Sequence, residues 1–167
     1  MTISPYKSLP QGTYSTMGQQ AQRFCESQGY KPLYKVKKNG IKQQPSIHDL
    51  VHVLLRSLTN IRAEADTHQG QFMISRFMET GKFPTNGEIQ KLMASFIKHR
   101  NQNPNPKYRV GDITPDAIDA YTAYVKRTVR LARQQWGNFP RTAEEFFQQP
   151  ILKYTTDWLH STSQYFR

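Results

Sequence analysis

Cysteine is almost missing from this chain of 167 residues: Cys25 stands alone. No intrachain disulfide can form, and a zinc site built on cysteines is excluded. Long apolar runs are missing as well. Nothing approaches the roughly 18–20 consecutive apolar residues of a membrane helix, and the mean hydropathy is −0.74. The opening residues Met1 to Lys7 lack the apolar core of a signal peptide, so a reducing, cytoplasmic setting with no membrane partner is expected. Acidic side chains are scarce, 12 against 23 Lys plus Arg, which leaves a formal net charge of +11. A charge of that size on a small chain points to an anionic partner. Aromatics, at 12% of residues, are too frequent for a wholly disordered chain.

Motifs for covalent and phosphoryl chemistry are missing too. There is no Gly-x-Ser-x-Gly, no glycine-rich phosphate loop and no cluster of acids for two-metal chemistry. Cys25 falls on an apolar helical face, where a packed thiol is the default. Tyr154 or Tyr165 as a recombinase nucleophile would need an arginine–histidine–arginine set that the chain does not show. The expectation is a protein that is not an enzyme and carries no cofactor.

What is present is helical periodicity. The chain divides into an irregular basic segment, 1–45, and a helical part, 46–167. In the first, Tyr14 to Gln28 reads as a short helix with Met17, Ala21, Phe24 and Cys25 on one face and Gly29 as its stop. Around Asn39-Gly40 the sequence fits either a small hairpin or an ordered loop. From Ser46, Ile47, Leu50, Val51, Leu54, Leu55, Leu58, Ile61 and Ala65 recur at three- and four-residue spacing, which predicts one long helix to about residue 67. Ser46 is its expected N-cap, with Asp49 closing a capping box. Gly70 is expected to kink or end that helix, and Phe72 to Met78 form a short one stopped by Gly81. Further helices are expected from Asn86, from Thr114-Pro115-Asp116 to Gly137, from the capping box Thr142 to Glu145, and over Ile151 to Phe166. The fold class is all-α, a bundle of five to seven helices.

Four groups of side chains stand out. Lys126, Arg127, Arg130 and Arg133 form a cationic stripe with no glutamate four residues away to pair it. Such a stripe can follow a phosphate backbone, or it is simply a solvated helix face. Lys35, Lys37, Lys38 and Lys42, interleaved with Tyr30 and Tyr34, suit stacking on unpaired bases as well as docking on an acidic protein. Lys98, Arg100, Lys107 and Arg109 flank a Pro/Asn linker and suggest a further basic patch at one end of the bundle. The fourth is His48-Asp49-Leu50-Val51-His52. Its histidines at i and i+4 could share a metal, but no third ligand follows at the spacing of a zincin, aspartate replaces the catalytic glutamate, and helix capping accounts for the first turn. No metal site is expected there.

The charge is uneven: +6 over residues 1–45, +3 over 46–113 and +2 over 114–167. A small, basic, all-helical chain without catalytic motifs resembles the small subunit of CRISPR effector complexes. It is most similar in character to the type I-D small subunit, which is encoded within the large-subunit gene. The features that carry the resemblance are the chain's size, its helical caps such as Thr142 to Glu145, and its basic faces such as Lys126 to Arg133. The resemblance implies a non-catalytic place inside a ribonucleoprotein. Its partners would be the guide RNA, the target DNA, the backbone and large subunits, and further copies of itself. Base pairing would read the sequence, so the protein would need only backbone affinity. Two other classes remain open on the residues alone: a helical adaptor for an acidic protein surface, and a free-standing nucleic-acid binder without sequence preference. An enzyme fragment lacking its catalytic half is a weaker third.

Overall fold

The computed structural model describes residues 16–27, 34–36, 43–57 and 60–153. It is all-α in architecture, with six α-helices: α1 (Met17–Ser27), α2 (Ile47–Leu55), α3 (Ile61–Thr80), α4 (Asn86–Asn101), α5 (Pro115–Trp136) and α6 (Ala143–Gln148). Two three-residue strands, β1 (Tyr34–Val36) and β2 (Gln43–Pro45), pair antiparallel with Lys35 opposite Gln44. They flank Asn39-Gly40, so the hairpin alternative holds in its strands, while residues 37–42 lie outside the described residues. The helix expected over Ile151 to Phe166 also lies largely outside them, and residues 151–153 are not helical.

Helix α2 sits at the centre. Leu50, Val51, His52, Val53, Leu54 and Leu55 are all buried, and a helix this apolar all round has to be covered on every side. It packs against α1, α3, α5 and α6, and α3 in turn packs against α4 and α5. The α1 face read from the sequence is the buried one: Met17, Ala21, Phe24 and Cys25 are 0–1% exposed. The helix within the irregular segment is therefore part of the core.

The single helix expected from Ser46 to residue 67 is two helices. Arg56 takes a left-handed conformation (φ 54°) and its N–H bonds back to the carbonyls of His52 and Val53, which ends α2. Asn60 then caps α3, its side chain accepting from Ala63 N at 2.9 Å. Tyr124 fixes the break by donating its hydroxyl to the Leu55 carbonyl at 2.7 Å, one of the carbonyls a helix end leaves without an internal partner. Ser46 is the N-cap residue, but its side chain makes no cap bond, so the expected capping box with Asp49 is not realised.

Gly70 neither kinks nor ends a helix. It lies inside α3, and a Cβ there would collide with the Leu55 side chain, so the glycine lets α2 approach. Helix α3 continues to Gly81, which takes φ 75° as its C-cap. The cap at Thr85 is a complete box with Glu88. At Thr142 only half the expected box forms: Glu145 N donates to the threonine hydroxyl, but the Glu145 carboxylate turns to Arg141 N.

Helices α1 and α6 close the far side. Met17 N donates to the Gln149 carbonyl at 2.8 Å, and Thr16 bridges to Pro150. A Cβ on Gly18 would overlap the Phe147 ring. Glycine to alanine in a helix normally stabilises by roughly 0.5–1 kcal/mol, yet Gly18→Ala should destabilise by about 1–3 kcal/mol through overpacking. Gly87→Ala, at the same place in α4, meets only the Thr85 hydroxyl at 3.9 Å and should keep the normal sign. Urea unfolding of the two variants checks this: midpoints moving the same way would contradict the packing at Gly18.

Candidate nucleic-acid interface

The basic patch expected at the end of the bundle is built on an ordered loop. Helix α4 ends in Lys98, His99 and Arg100, and the charges of Lys98 and Arg100 suit the negative end of a helix dipole. Asn101 then organises the return of the chain. Its side-chain oxygen accepts from Val110 N and Gly111 N, both at 3.0 Å, and its amide donates to Gly111 O at 2.8 Å. Asn103 accepts from Asn105 N and Asn105 from Lys107 N, which starts a 3₁₀ turn, Pro106–Tyr108. The Pro/Asn linker is thus a rigid presentation loop. At its tip Tyr108 is 43% exposed, the one large apolar side chain so exposed among the described residues. Lys107 Nζ lies 5.9 Å from the Tyr108 ring centroid. Arg109 is committed in part to the loop, donating to Asn103 O at 2.8 Å. Lys98 and Lys107 are exposed. From Ile89 to Gly111 there are five cations and no acidic residue, the signal by which this end could have been ranked first from the sequence.

The α5 stripe is only in part a free surface. Lys126 Nζ lies 5.9 Å from the Phe83 centroid and the Arg133 guanidinium 5.8 Å from that of Phe77, and these two rings stack on each other at 4.6 Å. Lys126 and Arg133 therefore lay their cations on the stacked rings, where such a contact is worth about 0.5–1 kcal/mol when exposed. Arg130, between them along the helix, is exposed. Lys126, Arg130 and Arg133 enter no ion pair among the described residues; Arg127 is engaged elsewhere. Lys35 lies on β1, and Lys37, Lys38 and Lys42 lie outside the described residues.

The His48–His52 pair is more than a capped first turn. A third group, which the spacing along the chain did not supply, comes from the first turn of α3: Glu64. His52 Nε2 is 3.2 Å from one Glu64 oxygen, His48 Nε2 is 3.5 Å from the other, and the two imidazole nitrogens are 3.2 Å apart. Burial works to raise the Glu64 carboxyl, but hydrogen bonds from His48 and His52 outweigh it and hold it at about 2. The Glu64 hydrogen bond in turn raises His48 against its partial burial. Glu64 was not legible because it reaches the histidines only through the turn at Arg56.

No helix among the described residues is long and apolar enough to cross a membrane. The chain matches no protein-family model, no curated protein and no solved structure.

Proposed function

We propose that the chain is a non-catalytic nucleic-acid-binding subunit that holds a strand by its phosphates and not by its sequence. The observation that supports this reading is the loop tip: an exposed tyrosine between Lys107 and Arg109, braced by Asn101 and set beside the cations that end α4. An exposed ring on a rigid support stacks on any unpaired base, and flanking cations neutralise the phosphates on either side. Arg130, exposed on α5, offers a further cation. Within a ribonucleoprotein of the CRISPR effector kind, such surfaces would steady the guide–target duplex and the displaced strand while base pairing carries the specificity.

The test is fluorescence anisotropy with mixed-sequence single-stranded DNA and RNA across a salt series. Wild type is expected to bind both with affinity falling steeply in salt. Lys98→Ala with Lys107→Ala should reduce the slope of log K against log salt by about 1.4, two phosphates at about 0.7 each. Tyr108→Ala should weaken binding by about 1–3 kcal/mol with the slope unchanged. A slope untouched by the double substitution, or binding untouched by Tyr108→Ala, refutes the proposed surface. Nuclease-resistant capture of an acidic protein, with no nucleic acid retained, would favour the adaptor instead.

A further inference from the structure

We propose that His48, His52 and Glu64 form a binding site for one Zn²⁺ ion, with a fourth coordination position facing solvent. The inference is independent of the nucleic-acid reading and uses none of its residues.

The first support is the shape of the donor triangle. Four ligands placed tetrahedrally at the usual zinc distances of about 2.0–2.1 Å stand about 3.3–3.4 Å apart; an octahedral ion with the same bond lengths would bring neighbouring ligands to about 2.8–3.0 Å. Here the two Nε2 atoms stand 3.2 Å apart, His52 Nε2 stands 3.2 Å from one Glu64 oxygen and His48 Nε2 stands 3.5 Å from the other. The nitrogen–nitrogen edge falls nearer the tetrahedral spacing, and one ligand atom from each of the three residues lies within 4.8 Å of the other two.

The second is the support behind the histidines. The Gln71 amide oxygen lies 3.0 Å from His48 Nδ1. An amide oxygen only accepts, so Nδ1 carries a proton, and Nε2, which faces His52 and Glu64, is the nitrogen that would release its proton to take the metal. Outer hydrogen bonds of this kind hold metal-binding histidines in the correct tautomer. His52 is fixed by burial instead, its side chain 4% exposed and its ring tilted against Phe24 at 5.7 Å between centroids.

The third is the way the elements converge. Positions i and i+4 place both histidines on one face of α2, and the left-handed Arg56 with the Asn60 cap aims the first turn of α3 back at them. The close approach at Gly70 fixes the spacing of the two helices. The site has a closed wall and an open mouth: the His52 side chain is 4% exposed, Glu64 29% and His48 40%. A mouth of that kind leaves room for water as the fourth ligand. Bound zinc would also clamp α2 to α3 at the turn where the sequence pattern predicted one continuous helix.

The experiment is calorimetric titration of the EDTA-treated full-length chain with ZnCl₂, paired with Co²⁺ titration followed by visible absorption. One zinc per chain is expected, with the strong visible bands of tetrahedral Co²⁺ that zinc then bleaches. A hundredfold excess of zinc over Kd should raise Tm by about 5–10 °C. His48→Gln and Glu64→Gln each replace a partly exposed ligand without removing a core side chain, and each should weaken zinc at least tenfold and abolish the Tm rise. Gln71→Leu leaves all three ligands in place and should weaken zinc by about 10–100-fold. Absence of stoichiometric zinc binding by wild type overturns the proposal and leaves a hydrogen-bonded ion-pair cluster. Wild-type affinity in both His48→Gln and Glu64→Gln overturns it equally.

Discussion

Asp66→Asn is expected to stabilise the protein by several kcal/mol at pH 9, on the order of 5, and to change little at pH 4. Asp66 lies on α3 with 7% of its surface exposed. Burial pushes its carboxyl up to about 8, only partly offset by the charge of Arg62 one turn earlier. In the unfolded chain the same carboxyl ionises near 3.8. Between those two values the folded protein holds a proton that the unfolded chain has released, so stability falls as pH rises across that window. Above about 8 the whole penalty is present, because the folded state then carries a buried charge. That charge would stand near Tyr121, whose hydroxyl is itself pushed upward, first by burial and then by Asp66. Asparagine keeps the shape and cannot ionise. Urea unfolding at pH 4, 6 and 9 reads the effect as a gap between variant and wild type that widens with pH. A gap constant with pH would show that Asp66 ionises normally.

Phe146→Ala should cost about 3–5 kcal/mol, the range for truncating a buried phenylalanine, and should loosen a helix remote in sequence. Helix α6 has six residues, and a helix that short has no stability of its own in water. Phe146 is its one buried side chain. It meets Trp136 at 5.9 Å and Phe139 at 5.6 Å between ring centroids, both edge-on. The same short helix carries Phe147 against Gly18 and leads into Gln149, whose carbonyl receives Met17 N. Without its anchor, α6 loses its hold on α1. Hydrogen exchange should therefore show Ala21, Phe24 and Cys25 losing amide protection ahead of α3. Equal loss across both helices would separate the anchor from α1.

Caps and faces were legible where the signal is local. At α5, Thr114 accepts from Ala117 N at 3.1 Å, Pro115 opens the first turn and Gly137 closes the helix at φ 79°, each as those residue types prefer. The α1 face was legible because four apolar side chains share it. The break between α2 and α3 was not. No glycine or proline falls between Ser46 and Thr67, and the apolar spacing runs through Leu54, Leu55, Leu58 and Ile61 as if unbroken. A hydroxyl 69 residues away sits on the last α2 carbonyl, and nothing in the local pattern announces it. Glu64 shares that fate, since its place beside His48 and His52 depends on the turn. At the basic surface the charges of Lys98 to Arg109 could be read directly, but the rigidity that Asn101 gives their loop could not. Nor could the two aromatic rings that occupy Lys126 and Arg133.

The bridge between Thr16 and Pro150 carries a consequence for the order of assembly. Nearly the whole described chain lies in the loop that this contact closes. Each doubling of such a loop adds about 0.6 kcal/mol of closure entropy, and the contact returns little until both of its short helices have formed. The α2–α3 and α4–α5 neighbours lie close along the chain and have no such delay. The seam between α1 and α6 is therefore expected to close late, once α2 and its neighbours have formed a surface to receive α1.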